Sequence, residues 1–314
     1  TIRREGEVHQ AVIVVTKTGM LFAFDRYNGE PIYEIEERPV PQSTVPGEIT
    51  SSTQPFSTID ALANRDPVTK RDAFGVIFFD KLSCKRQINK FGSKGIFTPP
   101  SLGGIVMRPG YAGGSNWGGV AVDPERQVAV TNVNEVPALV RLVPRGDLER
   151  LKAEGRLKGW QITEQRGTPY YLARRIFLSP LNLPCTKPPW GKLVAVDLSS
   201  GKILWDEKLG TIKDLAPKIV PNLRWGVPNL GGAMLTGSGL LVIGAAAERK
   251  LRIFQTETGR EIWSTNLPVA AMSTPMSYQL EDKQYIAVLA GGNDMLGMER
   301  GDYVIAYGLK GSQE

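Results

Sequence analysis

LVAVDLSSGKILW, residues 193–205, and LRIFQTETGREIW, residues 251–263, are two copies of one frame. Each is a short apolar run, a polar turn closed by Gly201 or Gly259, and a second run ending in tryptophan. LFAFDRYNGEPIY, residues 21–33, repeats it with Gly29 and Tyr33. Glycine suits a hairpin position that needs φ > 0, and the closing aromatic can pack flat between neighbouring sheets. A strand–turn–strand unit recurring with a fixed aromatic is how propeller blades are recognised in sequence. GGVAVDPERQVAVTN, residues 118–132, is a weaker copy without the aromatic, and Tyr303 to Leu309 has only the start of the frame. Counting both, the pattern predicts an all-β propeller of four or five four-stranded blade units. The competing arrangement is unrelated hairpins in a sandwich.

The rest of the chain fits that frame. Strand-length apolar runs such as Ala11 to Val15, Val128 to Thr131, Leu240 to Ile243 and Tyr285 to Leu289 are each bounded by turn chemistry. The high counts of 34 Gly and 22 Pro leave few stretches for a long helix. Two regions break the rhythm and are expected as rim insertions on a single domain, 34–56 and 144–189. Within the second, Leu148, Leu151 and Leu157 allow one short amphipathic helix, and Gln161 to Pro189 reads as irregular. Long loops on a regular scaffold commonly shape access to a site.

Composition removes several function classes. With 41 % hydrophobic residues, the 314-residue chain can bury a large core. The 38 Lys and Arg against 32 Asp and Glu form no long basic run and no basic–aromatic ladder, so nucleic acid is not an expected partner. One histidine and two distant cysteines make no metal-ligand spacing. Cys84 and Cys185 are either two buried thiols or a disulfide in an oxidising compartment. No apolar run approaches a membrane span of about 20 residues. Thr1 at the start, without a targeting signal, suggests a processed chain or part of a longer one.

The turn glycine followed by ILW or EIW resembles the tryptophan-docking motif of quinoprotein alcohol and glucose dehydrogenases, most clearly at Ala195, Asp197, Gly201, Lys202 and Trp205. TKTGMLFAFDRYNGEP, RPVPQSTVPGE and TQPFS (residues 16–57) are similar to the membrane-bound quinoprotein glucose dehydrogenase group. So are GIFTPPSLGG with SNWGGVAVDPERQVAVTN (95–132), LSPLNLPCTKPPWG (178–191), and the tail from GKILWDEKLGT through LAGGNDMLGMERGDYVIAYGL. The resemblance implies the C-terminal half of an eight-bladed propeller. It implies oxidation of a sugar or polyol with pyrroloquinoline quinone (PQQ) and ubiquinone as acceptor, glucose being the first candidate and quinate or an inositol the alternatives. It also implies a periplasmic protein held at the inner membrane by a part upstream of Thr1. The catalytic base and the ligands of a Ca²⁺ or Mg²⁺ ion are expected upstream too, so no catalytic residue and no metal ligand is assigned here.

Residue by residue, Lys17 in TKTG matches the family lysine that contacts the quinone oxygens; otherwise it is a surface lysine at a strand end. Asn132 matches an asparagine beside the cofactor; otherwise it is a turn residue. Trp117 in SNWGG is expected near the cofactor face, or else in a blade core. The glycines of WGVPNLGG (225–232) let backbone approach a flat ligand, and Asn229 or Leu230 is expected to line the chamber. Two departures concern pocket or electron-transfer positions. Asn293 stands in GGND where the family has histidine, which removes a proton carrier, and Glu248 stands where aspartate is expected. Asp294 is the candidate substitute. The rival class is a non-catalytic propeller scaffold, which would need neither the TKTG lysine nor the long insertions. Half a ring also leaves apolar faces uncovered, so self-association is expected.

Overall fold

The computed structural model describes residues 1–215 and 221–308, so Leu309 of the last expected strand lies outside the described residues. The chain opens with a hairpin, β1 (Ile2–Arg4) and β2 (Glu7–His9). Then come β3 (Ala11–Val15), β4 (Leu21–Asp25), β5 (Ile35–Pro39), β6 (Thr53–Ser57), helix α1 (Phe78–Phe91) and β7 (Ile105–Met107). The middle holds β8 (Ala121–Asp123), β9 (Val128–Asn134), β10 (Ala138–Pro144), α2 (Leu148–Ala153), β11 (Gln161–Glu164) and β12 (Tyr170–Ile176). The remainder is β13 (Gly191–Asp197), β14 (Ile203–Lys208), β15 (Ala233–Leu235), β16 (Leu240–Ile243), β17 (Lys250–Gln255), β18 (Glu261–Asn266), β19 (Met276–Leu280), β20 (Lys283–Ala290) and β21 (Tyr303–Gly308).

Four antiparallel units of the propeller frame follow one another. The first is the β3–β4 hairpin, extended by a bridge from Phe24 to Pro31. The second is the sheet β8-β9-β13-β14, the third β15-β16-β17-β18, and the fourth β19-β20-β21. The weak copy at 118–132 is therefore not a blade of its own. Its strands β8 and β9 share a sheet with β13 and β14, through a β9–β13 register from Gly191↔Asn134 to Asp197↔Val128. Sequence spacing hid this because residues 135–190 leave the blade between two strands that are neighbours in it. That excursion is ordered: β10, β12 and β11 form a further four-stranded sheet with β7, where the sequence from Gln161 to Pro189 reads as irregular. Helix α2 sits where the leucine spacing predicts, and Leu148, Leu151 and Leu157 are buried against Val143 and Ala173. The stretch 34–56 forms most of a β5–β6 hairpin.

The repeated frame makes both the turns and the blade contacts. Asp25 and Asp197 each accept the N–H two residues on, from Tyr27 and Ser199, both at 2.8 Å. The glycine N–H closes the turn onto the fourth residue back, Gly29 on Asp25, Gly201 on Asp197 and Gly259 on Gln255. These glycines stand at φ +76°, +74° and +68°. The closing aromatic then docks on the turn of the next unit. Tyr33 lies over Gly201 and donates its hydroxyl to the Leu198 carbonyl. Trp205 lies over Gly259 and its indole N–H donates to the Thr256 carbonyl at 2.9 Å. Trp263 meets Tyr307 of the fourth unit edge-on, centroids 5.8 Å apart.

Strands β9 and β13 are buried on both faces, and their alternation sorts side chains between two interfaces. Ala129, Val133, Val194 and Val196 pack toward Leu21, Ala23 and Tyr33 of the first unit. Val128, Val130, Leu193 and Ala195 pack toward Leu241, Ile243 and Phe254 of the third. Each fully buried aliphatic side chain stabilises by about 1.5–3 kcal/mol. Cys84 and Cys185 form a disulfide with Cα atoms 5.2 Å apart, which fastens α1 to the segment preceding β13. Among the described residues no helix is long and apolar enough to cross a membrane.

Candidate cofactor site

Of the expected site residues, Lys17, Trp117, Asn229 and Leu230 lie on loops that enter successive units, and Asn132 lies in β9. The TKTG turn between β3 and β4 is closed by Gly19 N–H on the Thr16 carbonyl at 3.0 Å. Its back rests on the loop 113–119. A Cβ on Gly114 would come within 2.4 Å of the Lys17 carbonyl oxygen, and Ser115 N–H donates to the Thr16 carbonyl at 3.2 Å. That loop in turn touches the next one: a Cβ on Gly118 would come within 2.0 Å of the Gly231 carbonyl oxygen. Glycine at 114 and 118 is thus required by backbone-to-backbone contact between units.

Lys17 is exposed, and its ammonium donates to the Tyr111 carbonyl at 3.2 Å. Among the described residues it has no carboxylate partner. It lines a cavity of about 340 Å³ with Phe97, Met107, Arg108 and Tyr111. Gly110 and Tyr111 are shared with a small hollow lined by Asn134, Leu230 and Leu296. Leu296, Val136, Ile176 and Pro228 are shared in turn with a cavity of about 440 Å³ that reaches Trp190 and Asp214. The three are neighbouring hollows with shared walls, together the cleft, between the TKTG lysine and the turn at Leu296 and Gly297 that follows Asn293 and Asp294.

Trp117 is 89 % exposed, so it stands out of the loop rather than in a blade core. Asn132 and Asn229 are both buried and meet directly: Asn132 Nδ2 donates to Asn229 Oδ1 at 2.6 Å. Asn134 completes the group, accepting Asn229 N–H at 2.8 Å and donating to the Asn229 carbonyl at 2.6 Å. Asn229 Nδ2 reaches the Val133 carbonyl at 3.2 Å. Three asparagines therefore lock the PNLGG segment to β9. Among the described residues no hydrogen bond reaches Asn132 Oδ1, which leaves that oxygen as the free polar atom of the group.

The other three expected positions are occupied differently. Glu248 is buried, paired with the buried Arg252, and accepts Thr211 N–H at 3.0 Å and the Thr211 hydroxyl at 3.1 Å. Its carboxylate is committed to holding the segment around 211 against the third unit. Asn293 precedes a single 3-10 turn and its carbonyl accepts the N–H of Leu296 and Met298. Asp294 is ion-paired to Arg300 through both carboxylate oxygens.

Two buried charged residues carry no sequence motif: Arg108 in the cleft wall, and Glu135 between the cleft-lining Asn134 and Val136. Arg108 is buried at the wall of the lysine cavity, donating to Asp72 at 3.1 Å, Asn64 Oδ1 at 3.2 Å and the Asp66 carbonyl at 3.2 Å. Glu135 follows Asn134 into the excursion. Burial pushes its carboxyl up, against the pull of the Lys192 ammonium at 3.6 Å and the Asn64 N–H at 2.9 Å. Its second oxygen has no partner among the described residues. Burial also pushes the Tyr111 phenol up, with Arg174 stacked on its ring opposing. Arg108 and Glu135 each take partners from distant segments, Asp72 and Lys192, and such contacts leave no local signal.

The frame, the docking aromatics and this cleft can be set beside known proteins. The family described as glucose/ethanol/alcohol dehydrogenase, β-propeller domain, matches residues 1–286. The chain belongs to this PQQ dehydrogenase propeller family. It is 38 % identical over 313 residues to quinoprotein glucose dehydrogenase A of Acinetobacter calcoaceticus, covering 98 % of this chain and 39 % of that protein. It is 36 % identical to the quinoprotein glucose dehydrogenase of Escherichia coli, with 97 % and 39 % covered. A quinate/shikimate dehydrogenase (quinone) of Acinetobacter baylyi is 34 % identical, with 98 % and 39 % covered. The chain thus spans about two fifths of the length of these curated relatives. A quinohemoprotein alcohol dehydrogenase of Pseudomonas putida superposes over all of this chain and 38 % of its own, at 15 % identity and a TM-score of 0.56, which supports the propeller fold.

The residues present fit part of a PQQ site. The Lys17 ammonium, which has no carboxylate partner among the described residues, suits the oxygens of an anionic quinone, whereas Trp117 and Asn132 line none of the three cavities. Among the described residues no three His, Cys, Asp or Glu side chains converge on a point.

Proposed function

We propose that this chain forms part of a quinoprotein dehydrogenase that oxidises a hydroxyl of a sugar or polyol with PQQ, glucose being the first substrate to test. The single observation that carries the proposal is Lys17: an ammonium without a carboxylate partner among the described residues, on a turn buttressed by the loop that enters the second unit, at the mouth of a cleft. PQQ, when bound, supplies the two-electron acceptor. Lys17 binds its oxygens and stabilises negative charge that develops there, the role of a preorganised electrostatic group. Leu230 lines the cleft wall, while Trp117 and Asn132, which line none of the three cavities, are assigned to the cofactor only by the family resemblance. Asn134 and Asn229 keep that wall in place. Asn293 and Asp294, at the other end of the cleft, border the path for substrate or for electrons, whereas Glu248 acts by holding Arg252 and Thr211.

The base that takes the hydroxyl proton, and the ligands of a Ca²⁺ or Mg²⁺ ion, belong in this proposal to the part of the protein outside the chain. So does the anchor to the inner membrane, with ubiquinone as the electron acceptor. A periplasmic location agrees with the Cys84–Cys185 disulfide, since such bonds persist in oxidising compartments. Quinate is the second substrate to test, because a quinate/shikimate dehydrogenase is also among the relatives.

The test is PQQ binding followed by absorbance and by quenching of tryptophan emission, in the longer protein and in the chain, with Ca²⁺ or Mg²⁺ present. Lys17→Ala should weaken binding at least tenfold, and the longer protein should reduce a dye with glucose while the chain alone does not. Absence of binding by the longer protein, or a Lys17→Ala variant that binds and turns over as wild type, would overturn the proposal and favour a scaffold.

A further inference from the structure

Helix α1 has a surface that neither the blades nor the cleft explains. Its inward stripe is Asp80, Cys84 and Ile88, four residues apart and buried. Asp80 accepts the N–H of Val76 at 3.3 Å and of Leu181 at 3.2 Å, and Cys84 is bonded to Cys185. The helix is thereby held by one side only. Its opposite face, by the 3.6-residue period, carries Phe78, Phe79, Leu82, Lys85, Arg86 and Lys90. Phe78 and Phe79 are 73 % and 76 % exposed, their rings edge-on at 5.7 Å, and Val76 and Ile77 beside them are exposed too. Such a run of exposed apolar side chains on a soluble surface marks a contact site.

The charges around it identify the partner. Lys81, Lys85, Arg86, Lys90 and Lys94 are all exposed, and none has a carboxylate partner among the described residues. The one acid of the helix, Asp80, is buried. An aromatic tip beside unneutralised cations, on a helix pinned from behind, is the combination that lies at the interface of an anionic bilayer. We infer that the outer face of α1 is a docking surface for an anionic lipid membrane, with Phe78 and Phe79 entering the headgroup boundary and the lysines and arginine meeting lipid phosphates. This surface is separate from the proposed anchor outside the chain and does not depend on the cofactor. It would set the orientation of the propeller on the membrane, because α1 is tied by Cys84 to the segment that walls the cleft at Leu183 and Pro184.

The test is flotation of the chain with vesicles of phosphatidylglycerol and phosphatidylethanolamine, against vesicles of phosphatidylcholine alone. Wild type should float with the anionic vesicles only, and high salt should weaken it. Phe78→Ser with Phe79→Ser, and separately Lys85→Ala with Arg86→Ala and Lys90→Ala, should each lower the partition coefficient at least tenfold with the circular dichroism unchanged. A Phe78→Trp variant should show blue-shifted emission on anionic vesicles and quenching by brominated lipid. Three results would overturn the inference: no flotation of wild type, flotation unaffected by the phenylalanine substitutions, or an effect of those substitutions on oligomer mass without one on flotation.

Discussion

At Gly259 the backbone stands at φ +68°, and a Cβ there would fall 2.7 Å from the Trp205 ring, whose indole N–H is held by Thr256. Gly155 has the same φ of +68° with nothing within 4 Å. The pair separates two effects of alanine. Gly155→Ala should cost about 1–2 kcal/mol for the left-handed conformation alone. Gly259→Ala adds overpacking of about 1–3 kcal/mol, so its urea midpoint should fall clearly further. The turn glycines were legible because φ and repeat position both leave a mark in sequence. The asparagine lock was not: Asn132 and Asn229 are 97 positions apart, and their matching to each other is a product of the fold. Glu135 carries a pH prediction. Because burial raises its folded pKa, its protonated form is favoured in the folded state. Its contribution is fully present below the ordinary carboxylate range and is lost as pH rises through the raised value. Glu135→Gln should therefore flatten the fall in stability over that window, measured as denaturation midpoint against pH. An unchanged slope would show that Lys192 already keeps the carboxylate ionised.

At the scale of elements, the strands of the repeated frame were predictable because period-two burial and turn chemistry agree at each copy. Helix α1 was not, and its buried stripe explains why. A carboxylate, a cysteine and one isoleucine give no apolar period, while two phenylalanines face outward. The helix forms because the body of the protein holds Asp80, Cys84 and Ile88 in place, not because its own pattern demands it. The disulfide should therefore matter most here. Replacing Cys84 and Cys185 with alanine should lower stability by about 2–4 kcal/mol, the usual range for closing a long loop. Hydrogen exchange should report the loss first in α1, with β9 and β13 keeping their protection. Equal loss across the blades would mean that α1 and the propeller unfold as one unit. The merging of the weak copy with β13 and β14 has a similar origin: an excursion of residues 135–190 separates partners that the ladder reunites.

For the molecule as a whole, the series of four units ends in two faces that no described residue covers. On the first unit, Val12 and Val14 are exposed on the side that also carries Phe22 and Phe24. On the last, Met276, Tyr278 and Leu280 alternate along β19, and register places Leu289 and Val304 on the same side. Inside the series, equivalent faces are closed by neighbours, as Val242 and Leu251 are by Val288 and Ala290. Apolar faces of this kind draw partners when left in water. In the chain by itself the last face of one copy can meet the first face of another, and if the rotation closes, two copies make a ring. Light scattering should then give a mass that rises with concentration and stops at the dimer. Since each interface joins unlike faces, Val12→Lys or Leu280→Lys would spoil both interfaces of the ring at once. Either substitution alone should therefore return the protein to monomer, with its denaturation midpoint little changed. A mass that keeps growing would mean that the rotation does not close, and a monomer at every concentration would mean that these faces tolerate water.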